Sequence, residues 1–146
     1  MHFITGGSFN GKSKWVKEYY QLEEASYRWI SCYEKSFPSD IMATIEGEDL
    51  LIIEGVETLL KGWAKMFDLT QSRKKWQLLL NQLAAWENHD SKRKVILIGT
   101  DITKGIVPVS EKERKWRDLT GWAYQDAVQA AKYADLIWYG ISQKIK

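Results

Sequence analysis

Cysteine is nearly absent from this sequence: Cys32 is the only one in 146 residues. No internal disulfide framework can form, and a reducing compartment fits that usage. Histidine is almost as scarce, with only His2 and His89. His2 begins the first strand-like segment and His89 falls in a polar stretch read as a turn, so neither is placed for catalysis. No Cys/His spacing suits a metal, and no Ser-His-Asp arrangement can be assembled. No apolar run approaches the roughly 20 residues of a membrane-spanning helix. The opening Met1-His2-Phe3-Ile4-Thr5 lacks the basic start and apolar core of a secretory signal, and the expected location is the cytoplasm. Charge of one sign is also lacking. The net charge is +2 with both signs interspersed, whereas a nucleic-acid partner predicts a lopsided balance. The clusters Arg73-Lys74-Lys75, at the opening of a helical stretch, and Lys92-Arg93-Lys94, before a strand, read as solvated ends. Repeats, low-complexity stretches and linkers are missing too, so residues 1–146 read as one domain.

What remains is the composition of a globular chain, 45% hydrophobic and 27% charged. Eight tryptophans fall mostly at helical spacing beside Leu or Ala, which predicts core and interface packing. Phe3-Ile4-Thr5 reads as a short strand running into glycines. A helix from about Lys12 carries Trp15, Val16, Tyr19, Tyr20 and Leu22 on one face. Tyr27 to Tyr33 reads as a second strand, and Pro38-Ser39-Asp40 as a helix start for one or two turns over 41–45. Leu50-Leu51-Ile52-Ile53 and Val95-Ile96-Leu97-Ile98 are continuous apolar runs, the mark of strands buried on both faces of a parallel sheet. Between them Trp76, Leu79, Leu80 and Leu83 keep the i, i+3, i+4, i+7 period of an amphipathic helix. Ser110 and Glu113 have capping-box spacing before a helix through Trp116, Leu119, Ala123, Ala127 and Ala130. Leu136-Ile137-Trp138-Tyr139 reads as the closing strand. Strands alternating with helices predict an α/β sandwich with a mainly parallel central sheet.

The chemistry concentrates near the start. Gly6-Gly7-Ser8-Phe9-Asn10-Gly11-Lys12-Ser13 fits G-x-x-x-x-G-K-[ST], the phosphate-binding P-loop pattern. Glycines let successive backbone N–H groups turn inward onto phosphate oxygens. The helix that follows brings its positive end to the same place. Lys12 reaches the β- and γ-phosphates of ATP or GTP, and the Ser13 hydroxyl holds Mg²⁺. The apolar strand before the motif and the amphipathic helix after it are the context this mechanism needs. The fold expected is therefore a P-loop NTPase-type three-layer sandwich.

Such a site calls for an acid at the end of a neighbouring buried strand, to hold Mg²⁺ directly or through water. Glu54 ends the run 50–53 and is the expected metal partner of Ser13. Asp101 sits just past Val95–Thr100 at the equivalent end of another strand, and both acids belong to the edge where open α/β sheets bind ligands.

These residues resemble the bifunctional adenosylcobinamide kinase / adenosylcobinamide-phosphate guanylyltransferase family of cobalamin biosynthesis. Its members open with a strand into a Thr-Gly-Gly P-loop, matched by Ile4-Thr5-Gly6-Gly7 through Ser13. An apolar run closing in Glu-Cys-Leu-Thr or similar is matched by Ile52-Ile53-Glu54-Gly55-Val56-Glu57-Thr58. The pattern Asn-Glu-Val-Gly-x-Gly-Ile-Val-Pro appears as Thr100-Asp101-Ile102-Thr103-Lys104-Gly105-Ile106-Val107-Pro108. Arg-x-Phe-Arg-Asp-x-x-Gly appears as Arg114-Lys115-Trp116-Arg117-Asp118-Leu119-Thr120-Gly121, with Gln125 in place and Tyr124 where Asn is usual. Ala134-Asp135-Leu136-Ile137-Trp138 and Lys144-Ile145-Lys146 also look like the family.

The resemblance implies phosphoryl transfer from ATP or GTP to a hydroxyl of a corrinoid substrate. Lys12, Glu54, Arg114 and Arg117 would carry the charge of that transfer. It implies nucleotide contacts at Thr58, at Asp101, and at Glu34, which stands one residue off the register of a nucleotide-contacting glutamate, and assembly as a homo-oligomer, a trimer in the family. It also implies a loss. Family members carry a further strand and a helix bearing a histidine that takes up GMP, and that segment is deleted here. Covalent nucleotidyl transfer needs a nucleophile, whereas phosphoryl transfer needs positioning and charge neutralisation. A kinase without its guanylyltransferase half is the expectation, and a nucleotide-binding regulatory or partner protein without turnover is the alternative.

Overall fold

In the strands, side chains alternate between two apolar layers. Leu51, Ile53, Val95, Leu97 and Phe3 enter one core cluster, and Leu50, Ile52, Ile96, Ile98 and Ile4 enter the other. Burial on both faces is what makes these runs continuously apolar rather than alternating. The computed structural model describes residues 1–34, 38, 40–45 and 47–146. The order is β1 (His2–Gly6), α1 (Lys12–Tyr19), β2 (Tyr27–Ser31), a 3₁₀ turn (Met42–Thr44), β3 (Leu50–Glu54), α2 (Val56–Met66), α3 (Leu69–His89), β4 (Lys94–Thr100), α4 (Glu111–Ala130), β5 (Tyr133–Trp138) and β6 (Ile141–Lys144).

The strands form one sheet in the order β2-β3-β4-β1-β5-β6. Its pairs are parallel except β5 with β6. Helices α2, α3 and α4 pack their buried residues into the first cluster, while α1 supplies Val16 to the second, followed by Leu22. The expected three-layer α/β sandwich is present, with three helices on one face and one on the other. Register places Glu54 beside Ile98, and Gly6 beside Thr100, so the carboxyl ends of β1, β3 and β4 share one edge.

Several local expectations change. Helix α2 and strand β6 carry no prediction from the sequence. Helix α3 starts at Leu69, where the Asp68 carboxylate accepts from the Gln71 N–H at 2.7 Å, so Arg73 lies in its second turn. His89 is the last residue of that helix, not part of a turn. Ser110 is the N-cap residue of α4 but its side chain makes no capping bond. Glu113 is drawn to the Lys61 ammonium, 3.2 Å away on α2, instead of back to the helix start. Asp40 caps the 3₁₀ turn by accepting from the Met42 and Ala43 N–H groups; Ser39 of that expected helix start lies outside the described residues.

Buried His2 ties β1 to its surroundings at the end of the strand away from the glycine-rich loop of residues 6–13. Its Nε2 lies 2.8 Å from Asp135 Oδ2, and its Nδ1 2.8 Å from the Tyr20 hydroxyl. A carboxylate only accepts, so Nε2 carries the proton and Tyr20 donates to Nδ1. The rings of Trp15, Tyr19, Tyr20 and Tyr133 stand edge-on around it. Burial lowers the imidazole pKa below its ordinary 6.5, against the opposing pull of Asp135, with the N-terminus and Lys144 adding to the lowering. The unfolded chain therefore binds more protons than the folded one as pH falls below 6.5. The stabilisation is complete above 6.5 and is lost as pH falls through the folded value. Thermal melts at pH 7.5 and pH 5 should show a larger loss for the wild type than for His2→Gln; equal losses would remove this group as the cause.

Candidate functional site

The glycine-rich loop of residues 6–13 is built by close approach. At Gly6, φ is +150° and a Cβ would sit 2.2 Å from the Ile137 carbonyl oxygen of β5, so only glycine fits where β1 turns into the loop. Gly11 is the N-cap of α1, and its carbonyl accepts from the Trp15 N–H at 2.9 Å. The turn between β5 and β6 braces the loop through the Gly140 N–H, which donates to the Asn10 carbonyl at 2.8 Å. Phe9, at φ 57°, projects fully exposed from the tip.

Lys12 is buried to 8% exposure and its ammonium donates to the carbonyls of Gly6 (3.2 Å) and Gly7 (2.8 Å). Burial lowers its pKa, while the charges of Glu57 and Glu54 oppose that lowering. The Ser13 hydroxyl donates to Glu54 Oε1 in a short hydrogen bond. The other carboxylate oxygen accepts from the Trp29 indole N–H of β2 at 2.9 Å. Strand pairing and an indole thus aim Glu54 at the first turn of α1. Two oxygen donors at a helix N-terminus beside a glycine-rich loop suit a hard divalent cation such as Mg²⁺, which takes few protein ligands. Among the described residues no group of three or more His, Cys, Asp or Glu could hold a metal by itself.

A cavity of about 640 Å³ opens over the loop, lined by residues 8–14 and by Tyr33, Glu54, Glu57, Thr58, Thr100 and Trp116 among others. Of the residues expected from the sequence, Ser8, Phe9, Asn10, Gly11, Lys12, Ser13, Glu54 and Thr58 line it, and Gly6 and Gly7 lead into it. Four do not. The Arg114 guanidinium donates to the Pro108 and Val109 carbonyls, pinning the loop before α4. Arg117 faces Asp118 on its own helix at 3.4 Å. Asp101 accepts from the Thr103 N–H and hydroxyl. Burial works to raise its pKa, but those bonds and the Lys104 ammonium hold it below the usual carboxylate value. Glu34 is exposed and lines a separate pocket with Trp29 and Pro38. Each of the first three is occupied in ordering a loop or helix turn, and the lysines that line the cavity are Lys12 and Lys14.

Sequence reasoning missed Trp29, Tyr33, Glu57, Thr100, Trp116 and Tyr124 as groups at or behind this cavity. One signal was available for Glu57: a second acid three residues past the strand-end acid, at the start of a helix. Neither histidine lines the cavity. The chain passes from α1 to β2 through residues 20–26 with no further strand or α-helix between them.

The family model described as cobinamide kinase / cobinamide phosphate guanyltransferase matches residues 26–145. No curated protein matches the chain. The family match starts after the loop and α1, so the phosphate-binding reading of residues 6–13 stands on the motif and its geometry. The cavity residues from Tyr33 to Trp116 lie within the matched segment; the chain belongs to the cobinamide kinase / cobinamide phosphate guanyltransferase family.

Proposed function

We propose that this chain is a kinase that moves the γ-phosphoryl group of ATP or GTP to a hydroxyl of a cobinamide-type corrinoid, and that it lacks guanylyl transfer. The observation that carries this reading is the convergence of Lys12, Ser13 and Glu54 on one cavity at the carboxyl edge of the sheet. The backbone of residues 7–12 and the N-terminus of α1 receive the phosphates. Lys12, already turned toward the loop, neutralises charge on the β- and γ-oxygens, where stabilisation matters most for a loose transition state. Ser13 and Glu54 would hold Mg²⁺, which when bound would supply positive charge to offset that of the phosphates. Thr58 and Trp116 line the same cavity.

Loss of guanylyl transfer rests on the histidines. His2 is buried against Asp135 far from the loop, and His89 is exposed at the end of α3, so neither offers a nucleophile to an α-phosphate. A homo-oligomer is part of the same proposal, on the resemblance alone. No helix among the described residues is long and apolar enough to cross a membrane.

Purified protein incubated with adenosylcobinamide, Mg²⁺ and either ATP or GTP should yield the corrinoid phosphate, with no GMP–protein adduct from GTP. A second reading, a nucleotide-binding partner protein without turnover, is favoured by the absence of Arg114 and Arg117 from the cavity. Tight nucleotide binding with no phosphorylated corrinoid would select it.

A further inference from the structure

Glu57 is the most deeply buried carboxylate facing the nucleotide cavity, 4% exposed. It lies in the first turn of α2, where the helix N-terminus favours its charge. Its Oε1 accepts a short hydrogen bond from the Tyr33 hydroxyl. Its Oε2 accepts from the Thr100 N–H at 2.9 Å and lies 3.4 Å from the Tyr124 hydroxyl, which itself donates to the Thr100 carbonyl at 2.8 Å. Tyr124 reaches that position because Gly99 has no side chain; a Cβ there would sit 2.2 Å from the hydroxyl. This arrangement is built rather than incidental, since three other segments of chain, carrying Tyr33, Thr100 and Tyr124, meet at one carboxylate that the metal-site chemistry does not use.

We infer that Tyr33 and Glu57 form the proton exit for the acceptor hydroxyl, with Tyr33 touching the substrate and Glu57 taking the proton. The inference rests on the kinase reading above. Tyr33 is half exposed, lines the same cavity as Lys12 and Ser13, and turns its hydroxyl inward onto Glu57. Its ring is held against Gly55, at the junction of β3 and α2. Burial, and the bond to Glu57, push the phenol pKa up, so Tyr33 keeps its proton at neutral pH and can pass it on only as it receives another. Tyr124, pushed up by burial and by the Glu57 charge, stays a fixed donor behind the pair.

The step balances. A bond forms between the acceptor oxygen and the γ-phosphorus as the bond from that phosphorus to the β–γ bridging oxygen breaks, and the nucleoside diphosphate leaves with that electron pair. The acceptor proton moves to the Tyr33 oxygen while the Tyr33 proton moves to Glu57 Oε1. Glu57, now neutral, returns its proton to water after product leaves. Lys12 and Glu54, the charged groups whose fields reach this end of the cavity, remain on the phosphate side.

The test is steady-state kinase kinetics with adenosylcobinamide on the full chain, comparing wild type, Tyr33→Phe, Glu57→Gln and the double variant. Each single variant should lose roughly 100-fold in kcat, the scale of general-base catalysis, with KM for nucleotide unchanged. The double variant should be no slower than the slower single, because the two residues serve one path. Wild-type turnover matched by both variants would overturn the relay and leave the kinase reading intact. A loss confined to KM would assign the pair a structural role and overturn it as well. A wild type that binds nucleotide but phosphorylates nothing would sink the kinase reading and the relay together. Should Glu57→Gln fail to fold, Tyr33→Phe, at a half-exposed position, decides alone.

Discussion

Lys12→Ala will bind ATP and GTP at least roughly 100-fold more weakly than the wild type, the cost expected when one member of a buried charged contact is removed. The ammonium is nearly enclosed and tethered to two carbonyls of its own loop, so it is positioned before the phosphates arrive and little ordering is left to oppose binding. A second effect adds to the first. Glu54 and Glu57 both act on the Lys12 ammonium through their charge, and without it they face an incoming anion uncompensated. Both effects point the same way, and neither is strongly screened by salt at a buried site. Lys14 is the internal control. Its side chain is 81% exposed and pairs loosely with Glu18 at 3.8 Å, so Lys14→Ala should cost about threefold or less, in keeping with exposed charge pairs. Titration calorimetry with each nucleotide and Mg²⁺ reads both variants. Wild-type affinity in Lys12→Ala would show that the loop does not hold phosphate.

The loop, β3 and β4 were legible in the sequence because each carries a signal that survives without context. Glycines in fixed positions before Gly11-Lys12-Ser13 have few other uses, and apolar runs such as 50–53 and 95–98 have no reason to exist unless both faces are covered. Helix α2 was hidden because its N-cap, Gly55, makes no side-chain capping bond and Gly62 interrupts its interior. Strand β6 was hidden for the opposite reason: Ile141–Lys144 is exposed along its length and held by backbone pairing to β5, so burial left no pattern to read. The arginines show a different limit. A resemblance can place Arg114 and Arg117 in a motif, but only the folded path of the loop before α4 reveals that Arg114 spends donors on the carbonyls of residues 108 and 109. Glu57 went unassigned because charge near a helix start is usually solvated; its polar partners Tyr33, Thr100 and Tyr124 come from distant positions.

Trp76→Ala should be the most destabilising single change in the helical layer. Trp76 of α3 is fully buried, and its indole N–H donates to the Ala123 carbonyl of α4 at 2.7 Å. Truncating a large buried aromatic costs about 3–5 kcal/mol, against a total of about 5–15 kcal/mol for a domain. For a chain of this size that lowers Tm by about 10–20 °C. The same two helices are also joined by the Arg73–Asp126 pair, whose hydrogen bonds are 2.9 and 2.7 Å long. The geometry of that pair is good, but the Arg73 side chain is 38% exposed, and solvent-screened pairs are worth about 1 kcal/mol or less. Arg73→Ala should therefore shift Tm by only about 2–4 °C, and Trp76→Phe should fall between the two, keeping much of the apolar contact while losing the indole N–H. Paired melting curves decide the ranking. Equal shifts for Arg73→Ala and Trp76→Ala would mean that the ion pair, not the packed indole, clasps α3 to α4.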